Sequence, residues 1–193
     1  FLLDIIEYMA RIKIGKDSTA HEGEHIRMIY RRFRGLAGPG IWEFVERKTR
    51  GPIVAVLPVT KKNEVVLVKT FRIPWKRYIV EMCAGLMDKK GESLVRLARR
   101  ELLEETGYRA GRLEKLIEGP FDAGMSTDSL AVYLAPEATY VRKPVLENAE
   151  DIAVLKIPLA RLAHFLTHPP KGVLVDVKIF SILYWLRKRG YLC

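Results

Sequence analysis

Between Ser93 and Thr106 the chain reads SLVRLARRELLEET, and no other stretch limits its possible folds so sharply. Leu94, Leu97, Ala98 and Leu102 recur at helical spacing, Ser93 is placed to cap the first turn, and Gly107 is placed to end the helix. At the helical angle per residue, Glu101, Glu104 and Glu105 fall on the same broad face as those apolar side chains, while Arg96, Arg99 and Leu103 fall opposite. The inward face therefore begins apolar and turns acidic in its last two turns. Carboxylates crowded there lose hydration and repel one another. They also sit at the negative end of the helix dipole, the unfavourable end for an acid. A hard divalent cation with oxygen ligands resolves all three penalties. The alternative is a solvated helix in which Arg100 and Glu104 form an ordinary i,i+4 pair.

The rest of the chain supplies strands to pack that helix against. Ile53 to Val59 is a nearly unbroken apolar run, as a buried strand requires, and Glu64 to Lys69 follows across a Lys61-Lys62-Asn63 turn as the second arm of a hairpin. Tyr78 to Met82, Leu130 to Leu134 and Ile152 to Ile157 are further strand candidates. Leu159 to Leu166 and Val177 to Lys188 have the pattern of two closing helices. Strands before, between and after helices imply a mixed sheet with helices on both faces. Upstream, His25 to Phe33 and Ile41 to Arg47 alternate as two strands paired through a Gly35 to Gly40 loop, which also marks a boundary. Phe1 to Met9 is apolar but broken by acids, and reads as an amphipathic helix or strand rather than a signal peptide. The first residue is not Met, so a start further upstream is expected.

Composition narrows the function classes. With 49% hydrophobic and 29% charged residues over 193 positions, the chain suits one globular domain with a small appendage. Cys83 and Cys193 are far apart, which argues against a disulfide framework and makes a cytoplasmic location the expectation. No segment reaches the roughly 18 apolar residues of a membrane span, so no membrane partner is expected. The net charge of +10 fits an anionic ligand or a solvated basic surface. The positive residues are scattered without interleaved aromatics, so nucleic acid is not the expected partner. His21, His25, His164 and His168 show neither ligand spacing nor a nucleophile motif.

The spacing around the helix decides between the two readings of its acids. After Glu92 come seven residues and then Arg100-Glu101-Leu102-Leu103-Glu104-Glu105-Thr106-Gly107-Tyr108, which resembles the Nudix box G-x5-E-x7-R-E-U-x-E-E-x-G-U, U being bulky and apolar. Six residues rather than five separate Gly85 from Glu92, and the extra one falls in the Asp88 to Gly91 turn, which can absorb it. The likeness runs over about residues 41 to 188 and is closest to the ADP-ribose and ADP-sugar pyrophosphatase branch. Trp42 to Arg47 resembles that branch's W-E-x-V-x-R strand, and Val68 to Pro74 its V-x-Q-[FY]-R-x-P segment. Glu81 to Leu86 is similar to E-x-P-A-G-L with Cys83 in place of Pro, and Phe121 to Ser126 to the S-P-G-x-S loop with Ala123 in place of Pro.

The resemblance implies an α+β Nudix fold: a mixed β-sheet sandwiched between helices (α/β/α), over residues 51–193, with an N-terminal antiparallel strand extension over 1–50. It implies Mg2+, with Mn2+ as a possible substitute, and hydrolysis of ADP-ribose or related ADP-sugars to AMP and a sugar phosphate. Glu101 and Glu105 are the implied primary metal ligands, with Glu104, Glu150 and the Ala84 carbonyl beside them. Glu104 and Glu105 thereby count among the catalytic residues. Some members of the branch take a base two positions before the residue matching Glu150. This chain has Asn148 there, which leaves Glu150 as the base or metal-water residue and Glu147 as its substitute. Arg100 is expected to orient the glutamates.

On the substrate side the candidates are Arg72, Glu81 and Trp42. Arg72 offers a planar fork for phosphate or ribose. Its alternative is a plain surface arginine, and that of Trp42 is a core or interface residue rather than a stack on the base. Cys83 is expected to pack as a small apolar residue. Members of the branch dimerise through the N-terminal region, so a homodimer acting on a small nucleotide-sugar is expected. Rival readings are another nucleoside diphosphate derivative such as GDP-mannose or a UDP-sugar, and a Nudix-fold module that binds nucleotide or RNA without cutting it.

Overall fold

A computed structural model describes residues 11–49, 51–147 and 150–192. The Phe1 to Met9 segment, Asn148 and Cys193 lie outside the described residues. The chain divides into two compact units.

The first unit comprises the described residues before Gly51 together with Pro120–Asp128. It holds an antiparallel sheet of β1 (Lys13–Glu22), β2 (Ile26–Gly35) and β3 (Gly38–Arg47) in that order. The expected Gly35 to Gly40 loop is shorter than its glycines suggest: Gly35 pairs with Gly38, and only Leu36 and Ala37 turn. Gly40 instead makes room on β3, where an added Cβ would lie 2.5 Å from Cζ of Phe33. Strand β1 has no apolar alternation and is exposed along its whole length. Backbone pairing to β2 holds it, reinforced by a two-pronged bond from Arg31 to Asp17 with both arms at 2.7 Å. The Pro120–Asp128 loop docks through a backbone bond from the Val45 N–H to the Met125 carbonyl at 2.9 Å and an Arg47–Asp128 ion pair at 2.9 Å.

The second unit carries the remaining elements. In chain order they are β4 (Ile53–Thr60), β5 (Glu64–Arg72), β6 (Arg77–Glu81), β7 (Cys83–Gly85), α1 (Leu94–Thr106), β8 (Tyr108–Arg109), β9 (Glu114–Pro120), β10 (Ser129–Tyr140), β11 (Ile152–Pro158), α2 (Leu159–Thr167), β12 (Leu174–Val175) and α3 (Phe180–Lys188). The sheet is mixed: β10 runs parallel to β4 and β12 parallel to β6, while β5 pairs antiparallel with β4, β6 and β11, and β7 antiparallel with β4. Every residue of β4 is buried because the strand is covered on both faces. Val54, Val56, Val66 and Val68 pack under Leu97, Ala98 and Leu102 of α1. Ala55, Leu57, Val59, Val65 and Leu67 pack against Leu162 and Leu166 of α2 and Ile182 and Leu186 of α3. The two faces of one period-two pattern thus produce the helix–sheet–helix layering. Leu97 and Leu102 are fully buried, which contributes roughly 2–3 kcal/mol each to anchoring α1.

Helix α1 has the expected ends. The Ser93 hydroxyl accepts the Arg96 N–H at 3.3 Å, and Gly107, at a φ of 74°, closes on the Leu103 carbonyl. The expected helix from Val177 instead begins as a 3-10 turn over Val177–Ile179, because the Asp176 carboxylate accepts the Lys178 N–H at 2.9 Å and tightens that turn. Strand β9 was not foreseen; it carries one buried apolar residue, Leu116, and pairs with β10. Among the described residues no helix is long and apolar enough to cross a membrane.

Candidate active site

Packing α1 onto β4 and β7 brings its last two turns against a strand that can meet them with backbone. Glu101 and Glu105 are each only 8% exposed, beside the fully buried Leu97 and Leu102. Ala84 on β7, held in register opposite Ala55, donates its N–H to Oε2 of Glu105 at 3.1 Å. Next to it, Gly85 leaves the space that Glu101 fills: a Cβ there would fall 2.0 Å from Glu101 Cδ. Glycine is required at this position for close approach.

Burial pushes the Glu101 carboxyl up to about 7, with Glu104, Glu150 and Asp88 pushing the same way and Arg100 opposing them. Glu105 is pushed further, to about 8, again first by burial and then by Glu101 and Glu150, against the Ala84 N–H and Arg72. Two carboxyls are thus held where water cannot stabilise their charge.

Arg100 gathers the surrounding acids. Its Nε and Nη2 bond the two oxygens of Glu92 at 3.1 and 3.0 Å, Nη2 also reaches Asp88 at 2.9 Å, and Nη1 lies 2.7 Å from Glu101 and 3.1 Å from Glu104. The bond to Arg100 draws the Glu92 carboxyl below its ordinary range, and the Glu92 contact raises the Arg100 guanidinium in turn. The inserted residue of the Asp88 to Gly91 turn therefore leaves Glu92 facing Arg100. Asp88 was missed in the sequence, since a turn carries no period by which to flag it.

On the same unit, Glu150 accepts the Glu147 N–H at 2.7 Å through Oε2, which turns this acidic segment on itself and leaves the Glu147 side chain exposed. Arg72, at the end of β5, forks onto Glu81 of β6 with both arms at 2.8 Å, and the Glu81 bond raises its guanidinium. Nη1 stays outside that fork. The Arg72 side chain is half exposed, as a surface arginine's is, and the fork onto Glu81 sets its plane. Among the described residues no three His, Cys, Asp or Glu side chains close on one point: Glu104 is turned to Arg100 and Glu105 to the Ala84 amide.

Trp42 belongs to the first unit, where it is 55% exposed and donates Nε1–H to the Gly124 carbonyl at 3.0 Å. It lines a 280 Å³ cavity there with Ile14, Arg31 and Phe44, so it is not a core residue. Cys83 is fully buried under α1, with its thiol on the Val56 carbonyl at 3.6 Å and pushed well up by burial. His164 and His168, four residues apart, stack on each other at 4.5 Å.

Comparison with known proteins matches this arrangement to a described family. The model of the NUDIX domain matches residues 49–176. An ADP-ribose pyrophosphatase of Bacillus subtilis is 39% identical over 107 residues, covering 55% of this chain and 57% of that protein. A GDP-mannose pyrophosphatase of Cronobacter sakazakii is 28% identical over 194 residues, covering 95% of this chain and 90% of that protein. This chain therefore spans less than two thirds of the first of these relatives and most of the second. Among solved structures, that of an ADP compounds hydrolase aligns with a TM-score of 0.78 at 19% identity, over 95% of this chain and 98% of that one, which shows a shared fold.

Proposed function

This chain belongs to the NUDIX domain family, and from that premise we propose that it hydrolyses the diphosphate bond of ADP-ribose or a related ADP-sugar to AMP and a sugar phosphate. The observation that carries the reading is the pair of buried carboxylates one helical turn apart, Glu101 and Glu105, whose charge burial disfavours and which Arg100, Arg72 and one backbone N–H offset in part. Such a pair is a poor arrangement for stability and a good one for a hard cation. All the donors there are oxygens, which fits Mg2+, with Mn2+ as substitute.

Glu101 and Glu105 would hold the ion with the Ala84 carbonyl, and Glu104 and Glu150 are the flanking carboxylates. When bound, the cation neutralises diphosphate charge and lowers the pKa of attacking water. The protein's own groups set up that reaction. Arg100 fixes the direction of Glu101 and Glu104. Glu150, with Oε2 occupied by the Glu147 N–H, keeps Oε1 to take the water proton, and Glu147 is the substitute base. Arg72, its plane set by Glu81, offers the outer edge of its guanidinium to a phosphate oxygen or ribose hydroxyl. Trp42 is the aromatic assigned to the base. The active unit is a homodimer formed through the N-terminal sheet, whose Ile14, Ile41 and Trp42 expose apolar surface.

GDP-mannose is the second reading, favoured by the near full-length likeness to the Cronobacter sakazakii protein. A panel of ADP-ribose, ADP-glucose, GDP-mannose and a UDP-sugar with Mg2+, products separated by chromatography, tests both. The highest kcat/KM is expected for ADP-ribose; a much higher value for GDP-mannose assigns the second reading, and no turnover of any removes the hydrolase.

A further inference from the structure

Beside the turn between β4 and β5 lies a cavity of about 550 Å³ to which the reaction above gives no role. Three lysines line it, Lys61 and Lys62 from the turn and Lys156 from β11, against one acidic residue, Glu64. Lys61 lies 3.7 Å from Glu137, but Lys62 and Lys156 have no ion-pair partner among the described residues. Like charges gathered around a concave surface repel one another and focus a positive field into it. A ligand with clustered negative charge relieves that repulsion.

The cavity also has an aromatic wall. The Tyr140 ring meets the buried Tyr108 ring edge to face at 5.5 Å, which fixes its plane, and Tyr140 is still 54% exposed. A half-exposed ring held against a buried neighbour is a stacking surface. The volume falls in the range of small-molecule sites. We propose that this cavity binds a mononucleotide, with its phosphate on Lys62 and Lys156 and its base against Tyr140. The site does not rest on the hydrolytic reading, because none of its lining residues is among the acids of the candidate active site.

The test is calorimetric titration of AMP, and separately of inorganic phosphate, into the full chain with a chelator present. Turnover is then absent, and without a cation the carboxyls of α1 offer a phosphate no positive partner. Saturable binding of one AMP per chain is expected. Lys62→Glu with Lys156→Glu, both exposed positions, should weaken it by about tenfold or more. Tyr140→Ala should weaken AMP severalfold and leave phosphate unchanged, while Arg72→Ala should leave AMP unchanged. Absence of AMP binding up to millimolar concentration overturns the site. So does affinity indifferent to the double charge reversal, and so does loss of binding in Arg72→Ala, which would place the ligand elsewhere.

Discussion

Gly85 and Glu101 occupy one space: the carboxylate of the helix lies where the strand residue would carry its Cβ, 2.0 Å from Cδ. The φ of Gly85 is not in the left-handed region, so alanine there meets steric rather than backbone strain. The side chain that must give way is Glu101. Gly85→Ala should therefore lower kcat by roughly tenfold to a hundredfold, because a small misplacement of a charged group in the site is costly. The melting temperature should fall by only a few degrees. Steady-state kinetics beside a thermal melt check this, and an unchanged kcat would detach Glu101 from the chemistry.

The raised carboxyls predict how the metal-free protein responds to pH. Glu105 has an ordinary value of 4.5 and stands at about 8 in the fold, so the folded state keeps a proton that the unfolded chain releases. Its contribution to stability is complete below 4.5 and is lost as pH climbs towards 8. In chelator, the melting temperature should decline over that window more steeply for the native chain than for Glu105→Gln. Mg2+ should reduce the decline, since it favours the charged form. Parallel melting curves for the two proteins would contradict the burial of that charge. The same variant should turn over about a hundredfold more slowly or worse at saturating Mg2+.

The base is tested by comparing Glu150→Gln with Glu147→Gln. The Glu147 backbone N–H already holds Glu150 Oε2, and the Glu147 side chain points into solvent exposure. Loss of the acidic limb of the pH–rate profile is expected in Glu150→Gln, with little change in Glu147→Gln. If both variants keep the native profile and rate, the base lies outside this segment.

Light scattering addresses the N-terminal sheet. The intact chain should scatter as twice its chain mass, and a truncation beginning at Gly51 as one copy, because removing the sheet removes the exposed Ile14, Ile41 and Trp42. Trp42→Ala should raise KM for ADP-ribose more than it lowers kcat, as the loss of a base contact does. A monomeric and fully active intact chain would remove the proposed dimer.

Much of this protein follows from short-range pattern. The acids of α1 were legible because 3.6 residues per turn carry Glu101 and Glu105 to the apolar face whatever surrounds them. Ser93 and Gly107 mark the helix ends by chemistry local to one turn. The apolar run of β4 announced burial on both faces. Tertiary structure alone decided the rest, because it turns on which strands lie side by side. Strand β1 has no apolar signal, since backbone hydrogen bonds to β2 hold it and any side chain permits those. Arg72 meets Glu81 only because β5 and β6 pair, and Asp88 meets Arg100 only because a turn folds back on α1. The need for glycine at position 85 arises from Glu101, sixteen residues downstream, as its helix packs onto the strand. Periodicity places a side chain on a face; the register of packed elements decides what that face touches.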